Sequence, residues 1–68
     1  MSAPIRVNGE AEPFPGGTVA ALIAARGIAS RRGLAVALNG TVVPARHWDE
    51  TILSPGDEVE IVRPFGGG

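Results

Sequence analysis

The sequence predicts an α+β fold, a mixed sheet of about four to five strands with one main helix packed on one face. Three observations carry this reading. Two Asn-Gly pairs, Asn8-Gly9 and Asn39-Gly40, each stand between short β-patterned runs, and Asn-Gly is the strongest short-range hairpin signal because both turn positions take φ > 0. Val19, Leu22 and Ile23 fall at i, i+3 and i+4 and form a single helical stripe. Near the end of the chain, Val59 and Ile61 alternate with Glu58 and Glu60, the period of two that marks a half-buried strand.

Taken in order, Ile5-Arg6-Val7 forms the first strand, and a second returns through Glu10 to Phe14. A two-residue turn puts Phe14 on the face of Ile5 and Val7, together with Glu10 and Glu12. A three-residue turn with a bulge would face Ala11 and Pro13 inward instead. Phe14 is the only bulky apolar side chain available there and favours the first register. Pro15-Gly16-Gly17 breaks the strand, and Thr18 is placed to cap a helix starting at Val19. The alanines at 20, 21, 24 and 25 add helix propensity, and Arg26-Gly27 suits the end of the helix. Gly16-Gly17-Thr18 ahead of a helix could also cradle an anion, but no Lys or wider glycine pattern supports it, so a turn with a cap is the expectation.

Ile28 to Gly33 reads as a loop whose Arg31 and Arg32 are solvated or face an acidic partner. Leu34 to Leu38 is an apolar run with the look of a central strand, and Thr41-Val42-Val43 pairs back on it up to Pro44. If Leu38 opposes Thr41, then Val36, Leu38 and Val43 share one face, while Ala35, Ala37 and Val42 share the other. A single helix covers one side only, so the second face should remain exposed and apolar, as partner surfaces often are. Ala45 to Glu50 is a connection with a helical turn in it, where Trp48 is large enough to seal an edge of the core. His47, Asp49 and Glu50 lack ligand spacing and read as surface residues. Ser54-Pro55-Gly56-Asp57 is a turn that launches the last strand. The expected core is Ile5, Val7, Val19, Leu22, Ile23, Val36, Leu38, Val43, Leu53, Val59 and Ile61. Setting the first and last strands side by side and parallel in the centre gives the β-grasp, or ubiquitin-like, architecture.

Composition narrows the function. A chain of 68 residues is one small domain, with stability on the order of 3–10 kcal/mol. It has no Cys, which removes disulfides and Cys-ligated zinc. A net charge of −1 argues against a nucleic-acid binder that works by phosphate neutralisation. The longest apolar run, Val19 to Ala25, is far too short to span a bilayer, and no signal-peptide pattern precedes it, so a cytoplasmic location without membrane association is expected. All the basic residues are Arg, and the absence of Lys excludes a Walker-type phosphate loop. No nucleophile–base pair can be assembled, which disfavours a stand-alone enzyme.

Chemistry is expected at the end of the chain. The domain is read as residues 1–63, with residues 64–68 as a flexible Gly-rich tail, because Pro64 gives no N–H to a ladder and Gly66, Gly67 and Gly68 bury no side chain. A terminal carboxyl, with a reference pKa of about 3.3–3.7, is ionised at neutral pH and can attack an activated phosphate through oxygen. Glycine lets such a stalk enter a narrow site. The plain alternative is a disordered terminus, weakened here because the glycines follow a strand with no Ser-rich or charged linker between.

The segments Val7-Asn8-Gly9, Gly17-Thr18-Val19, Ala37-Leu38-Asn39, Val43-Pro44-Ala45-Arg46-His47-Trp48 and Pro55-Gly56-Asp57-Glu58-Val59-Glu60-Ile61, with the terminal glycines, resemble the ThiS family, sulfur carriers for thiazole formation in thiamine biosynthesis. The Asn39-to-Trp48 pattern, Asn-x-x-x-Val-Pro-x-x-x-Trp, is the more specific part. Gly66 as a third glycine, and Phe65 where smaller apolar residues are common, depart from the pattern.

The resemblance implies that Gly68 is adenylated and converted to a thiocarboxylate that delivers sulfur, with Phe65, Gly66 and Gly67 recognised as the tail. It implies no bound cofactor and no catalytic group in the chain. ATP and magnesium belong to an adenylating activating enzyme of the ThiF type, sulfur comes from a donor such as a cysteine desulfurase, and the acceptor is a thiazole synthase of the ThiG type. Ala35, Ala37, Val42 and Val62 are the expected docking face for these partners. Two other readings compete: the small subunit of molybdopterin synthase, a carrier to a pterin precursor, and a non-covalent ubiquitin-like interaction module.

Overall fold

The computed structural model of the protein describes residues 3–28 and 31–63. Its elements are β1 (Ile5–Val7), β2 (Glu10–Glu12), α1 (Val19–Ala25), β3 (Ala35–Leu38), β4 (Thr41–Val42) and β5 (Glu58–Val62), with a 3₁₀ turn at Ala45–His47. The strands form a single sheet in the order β2-β1-β5-β3-β4. β5 lies at its centre, parallel to β1 and antiparallel to β3. This is the β-grasp arrangement: the two hairpins are formed locally, and the last strand joins them.

Both hairpins take the two-residue turn. Val7 faces Glu10 and Ile5 faces Glu12, which is the register that Phe14 favours. Leu38 faces Thr41 and Ala37 faces Val42. The turn residues have the positive φ that this tight turn requires, 52° and 86° at Asn8-Gly9 and 51° and 84° at Asn39-Gly40. β2 stops at Glu12, short of the expected Phe14, in keeping with the missing N–H of Pro13. Phe14 is half-buried and packs against the core.

Thr18 caps the helix as its position suggests, its Oγ1 accepting from the Ala21 N–H at 3.1 Å. Arg26 does more than complement the helix dipole, since its Nη1 donates to both carboxylate oxygens of Glu12, at 3.0 and 2.9 Å, and ties the helix end to β2. The stripe of Val19, Leu22 and Ile23 is buried against Ile5, Val7, Val36, Leu53 and Val59.

Leu38, Val43 and Ile61 were expected in this core and are instead half-buried at its rim. A helix of seven residues is only about 10 Å long, too short to cover the sheet margins. Three buried residues were not on the expected list: Ala20, Leu34 and Trp48. Trp48 is 1% exposed and is the largest fully buried side chain described. Its indole Nε1 donates to the Val43 carbonyl at 2.8 Å, so the polar atom that burial would orphan is satisfied. The Arg31 guanidinium carbon lies 5.7 Å from the Trp48 ring centroid, within cation–π range, so this loop arginine is anchored on the core it borders.

Candidate docking face and the root of the carboxyl-terminal segment

The helix covers one side of the sheet. On the other side, Ala35 stands opposite Val62 and Ala37 opposite Val42, so the four residues expected to form a docking face share one surface. Val42 and Val62 are 69% and 57% exposed, Ala35 is exposed and Ala37 half-buried. Arg6, Glu58 and Glu60 extend this surface with charge. They line a shallow recess of about 220 Å³ across β1 and β5, bounded by the hairpin residues Gly9 and Gly40. The surface is thus an apolar strip on β3, β4 and the end of β5, flanked by two carboxylates and one guanidinium. Ile52, also exposed, is bridged to Thr18 at the start of the helix and lies apart from this strip.

β5 is held at both ends by side chains that substitute for backbone. At its start, the Asn39 N–H donates to the Glu58 carbonyl at 2.7 Å, and Asn39 Oδ1 accepts from the Glu58 N–H at 2.9 Å. The Asn39 Nδ2 donates to Asp57 Oδ1 at 3.0 Å, while Asp57 Oδ2 accepts from the Ser54 N–H at 2.7 Å. Toward its end, the Asn8 N–H donates to the Val59 carbonyl at 2.9 Å, and Asn8 Oδ1 accepts from the Ile61 N–H at 2.8 Å. Each hairpin asparagine therefore adds a rung to the ladder just where its own backbone turns away. In the sequence both asparagines read as turn formers, and Asn39 also as the start of the family pattern, but neither as a partner of β5. The available signal was the placement of an amide side chain, rather than a second glycine, at the first turn position of each hairpin.

Other sequence candidates carry no site. The helix start holds no free donors for an anion at its first three positions: the Val19 and Ala20 N–H groups donate to the Thr51 and Trp48 carbonyls at 2.9 and 3.1 Å, and that of Ala21 to Thr18. His47 Nδ1 lies 2.6 Å from Glu50 Oε1, with both side chains exposed. Among the described residues no group of three or more His, Cys, Asp or Glu side chains could hold a metal ion. No helix among them is long and apolar enough to cross a membrane. The proposed tail residues Phe65, Gly66, Gly67 and Gly68 lie outside the described residues.

A five-stranded mixed sheet with one helix on one face and its last strand at the centre defines a protein of the β-grasp, ubiquitin-like class. The ThiS family profile matches residues 5–68, and the chain belongs to the ThiS family. The crystal structure of the thiamine biosynthesis protein (ThiS) from Geobacter metallireducens is similar, with a TM-score of 0.81 and 31% identity over 96% of this chain and 99% of that one. The solution structure of a thiamine biosynthesis protein from the same organism gives a TM-score of 0.78 and 31% identity over 96% and 87% of the two chains. No curated protein sequence matches the chain significantly.

Proposed function

We propose that the protein is a sulfur carrier of thiamine biosynthesis, acting as a co-substrate of partner enzymes. Its Gly68 carboxylate attacks the α-phosphorus of ATP on an activating enzyme, forming an acyl-adenylate and releasing pyrophosphate. Sulfur at the sulfide level, released from a donor's persulfide by a thiol reductant, then displaces AMP and leaves a thiocarboxylate, which delivers sulfur for thiazole formation. The observation that carries this reading is the family match through residue 68, across the segment into which β5 runs. The absence of Cys from the chain supports it, because a carrier without a thiol has no side chain of that kind on which to hold sulfur.

In this reading Ala35, Ala37, Val42 and Val62 dock the activating enzyme and the acceptor in turn, and Phe65, Gly66 and Gly67 thread the carboxyl end into each active site. ATP and magnesium are bound by the activating enzyme. Intact-mass measurement of protein purified from its native cells is the direct test: replacement of one oxygen by sulfur, located at Gly68, is expected. A mass matching the unmodified chain, unchanged after incubation with activating enzyme, ATP and sulfur donor, would refute the function and favour a non-covalent interaction module.

A further inference from the structure

We propose that Asn8 is a positioning residue for the carboxyl end, its side chain fixing the point at which β5 leaves the sheet. This rests on the carrier function above for its consequence, though not for its geometry. Residues Asp57, Val59 and Ile61 are the positions of the β5 segment that face β1: Arg6 and Asn8 donate their N–H groups to the Asp57 and Val59 carbonyls, both at 2.9 Å. β1 ends at Val7, while β5 runs on to Val62. The Ile61 N–H therefore has no strand backbone opposite it, and the Asn8 Oδ1 takes that place at 2.8 Å.

Beyond the last β1 rung, the exit of β5 is held on its other side by β3, through Ala35 and Val62. Two held sides define the direction of an extended segment, and one leaves it free to swing about the remaining ladder. Asn8 thus supplies the second side at the root of the segment that carries the reacting carboxylate. Its remoteness from the chemistry is no objection, because a misplacement of about 1 Å at a reacting group can cost about a hundredfold in rate.

The side chain and the backbone of Asn8 can be tested separately. Its φ of 52° is one that Gly adopts without strain and that Asp tolerates. Asn8→Gly keeps the turn and removes the acceptor; Asn8→Asp keeps both. Two readouts apply to each variant in the full chain: amide exchange at Ile61 in the free protein, and pyrophosphate release with the activating enzyme and ATP over a range of carrier concentrations. Asn8→Gly is expected to speed Ile61 exchange by about tenfold or more while Val59 stays protected. It should lower kcat by about tenfold to a hundredfold with KM for the carrier unchanged, since the docking face is untouched. Asn8→Asp should restore both.

Wild-type kcat in Asn8→Gly, or continued protection of its Ile61 amide, would overturn the proposal. So would a loss in Asn8→Asp equal to that in Asn8→Gly. If the wild-type protein itself releases no pyrophosphate, the carrier function fails, and the exchange measurement then decides by itself whether Asn8 fixes the exit of β5.

Discussion

The indole Nε1 of Trp48 donates to the Val43 carbonyl at 2.8 Å, joining the chain just beyond β4 to the largest buried side chain described. The ring fills the core while its one polar atom closes the connection that turns at Ala45–His47. Trp48→Ala is expected to cost about 3–5 kcal/mol, a large share of the stability of so small a domain. Trp48→Phe keeps the apolar ring and leaves the Val43 carbonyl without its donor, at about 1–3 kcal/mol. Urea titrations of the two variants measure the difference; equal losses would mean that the hydrogen bond, and not the ring, carries the site.

Burial separates two core positions that look alike in sequence. Leu22 is 5% exposed, and Leu22→Ala should cost about 2–5 kcal/mol. Ile61 lies half-buried at the rim, so Ile61→Ala should cost clearly less, because part of its surface already meets water in the folded state. Denaturant midpoints in the reverse order would place the centre of the core elsewhere.

Much of this architecture was readable because its signals are local. Asn-Gly marks a hairpin within four residues, with Phe14 needed to favour the two-residue turn in the first one, and Thr18 caps the helix within three. The opposition of Ala37 to Val42 then follows from the turn alone. What escaped reading depends on contacts between distant segments. Trp48 could be named as a seal, but its complete burial depends on where the 3₁₀ turn sends it, and Leu34 and Ala20 are buried by neighbours that no local pattern reveals. Asn8 meets Ile61 across 53 residues, so its second role could not be seen from the hairpin. The exposed face was legible for the opposite reason, since a single helix leaves one side of a sheet uncovered.

That exposed face allows a substitution that spares the fold. Val42 is 69% exposed on β4, so Val42→Asp should leave the unfolding midpoint nearly unchanged. If the proposed docking face is correct, the same change weakens binding to the activating enzyme by about tenfold or more, because the carboxylate must be desolvated on docking. Calorimetric titration checks this. Unchanged affinity would move the interface off β3 and β4.

Removing Gly67 and Gly68 tests the other half of the proposed site. The truncated protein should unfold at the same temperature as the full chain and should bind the activating enzyme through the same face. It should nevertheless release no pyrophosphate, because the attacking carboxylate no longer reaches the nucleotide. Turnover at the wild-type rate would refute activation at Gly68.

The central place of β5 has a consequence for how the protein is made. The strand that joins the two hairpins is the last of the described strands to leave the ribosome, and until it emerges β1 and β3 have no common neighbour. A nascent chain can form isolated hairpins, which are marginal in water, but it cannot close the sheet. An aborted chain ending before Glu58 would lack the strand that unites the two halves and would be exposed to proteolysis. Synthesis from the amino end thus makes closure of the sheet wait on β5: the two hairpins can be joined only after the chain has been translated past Val62.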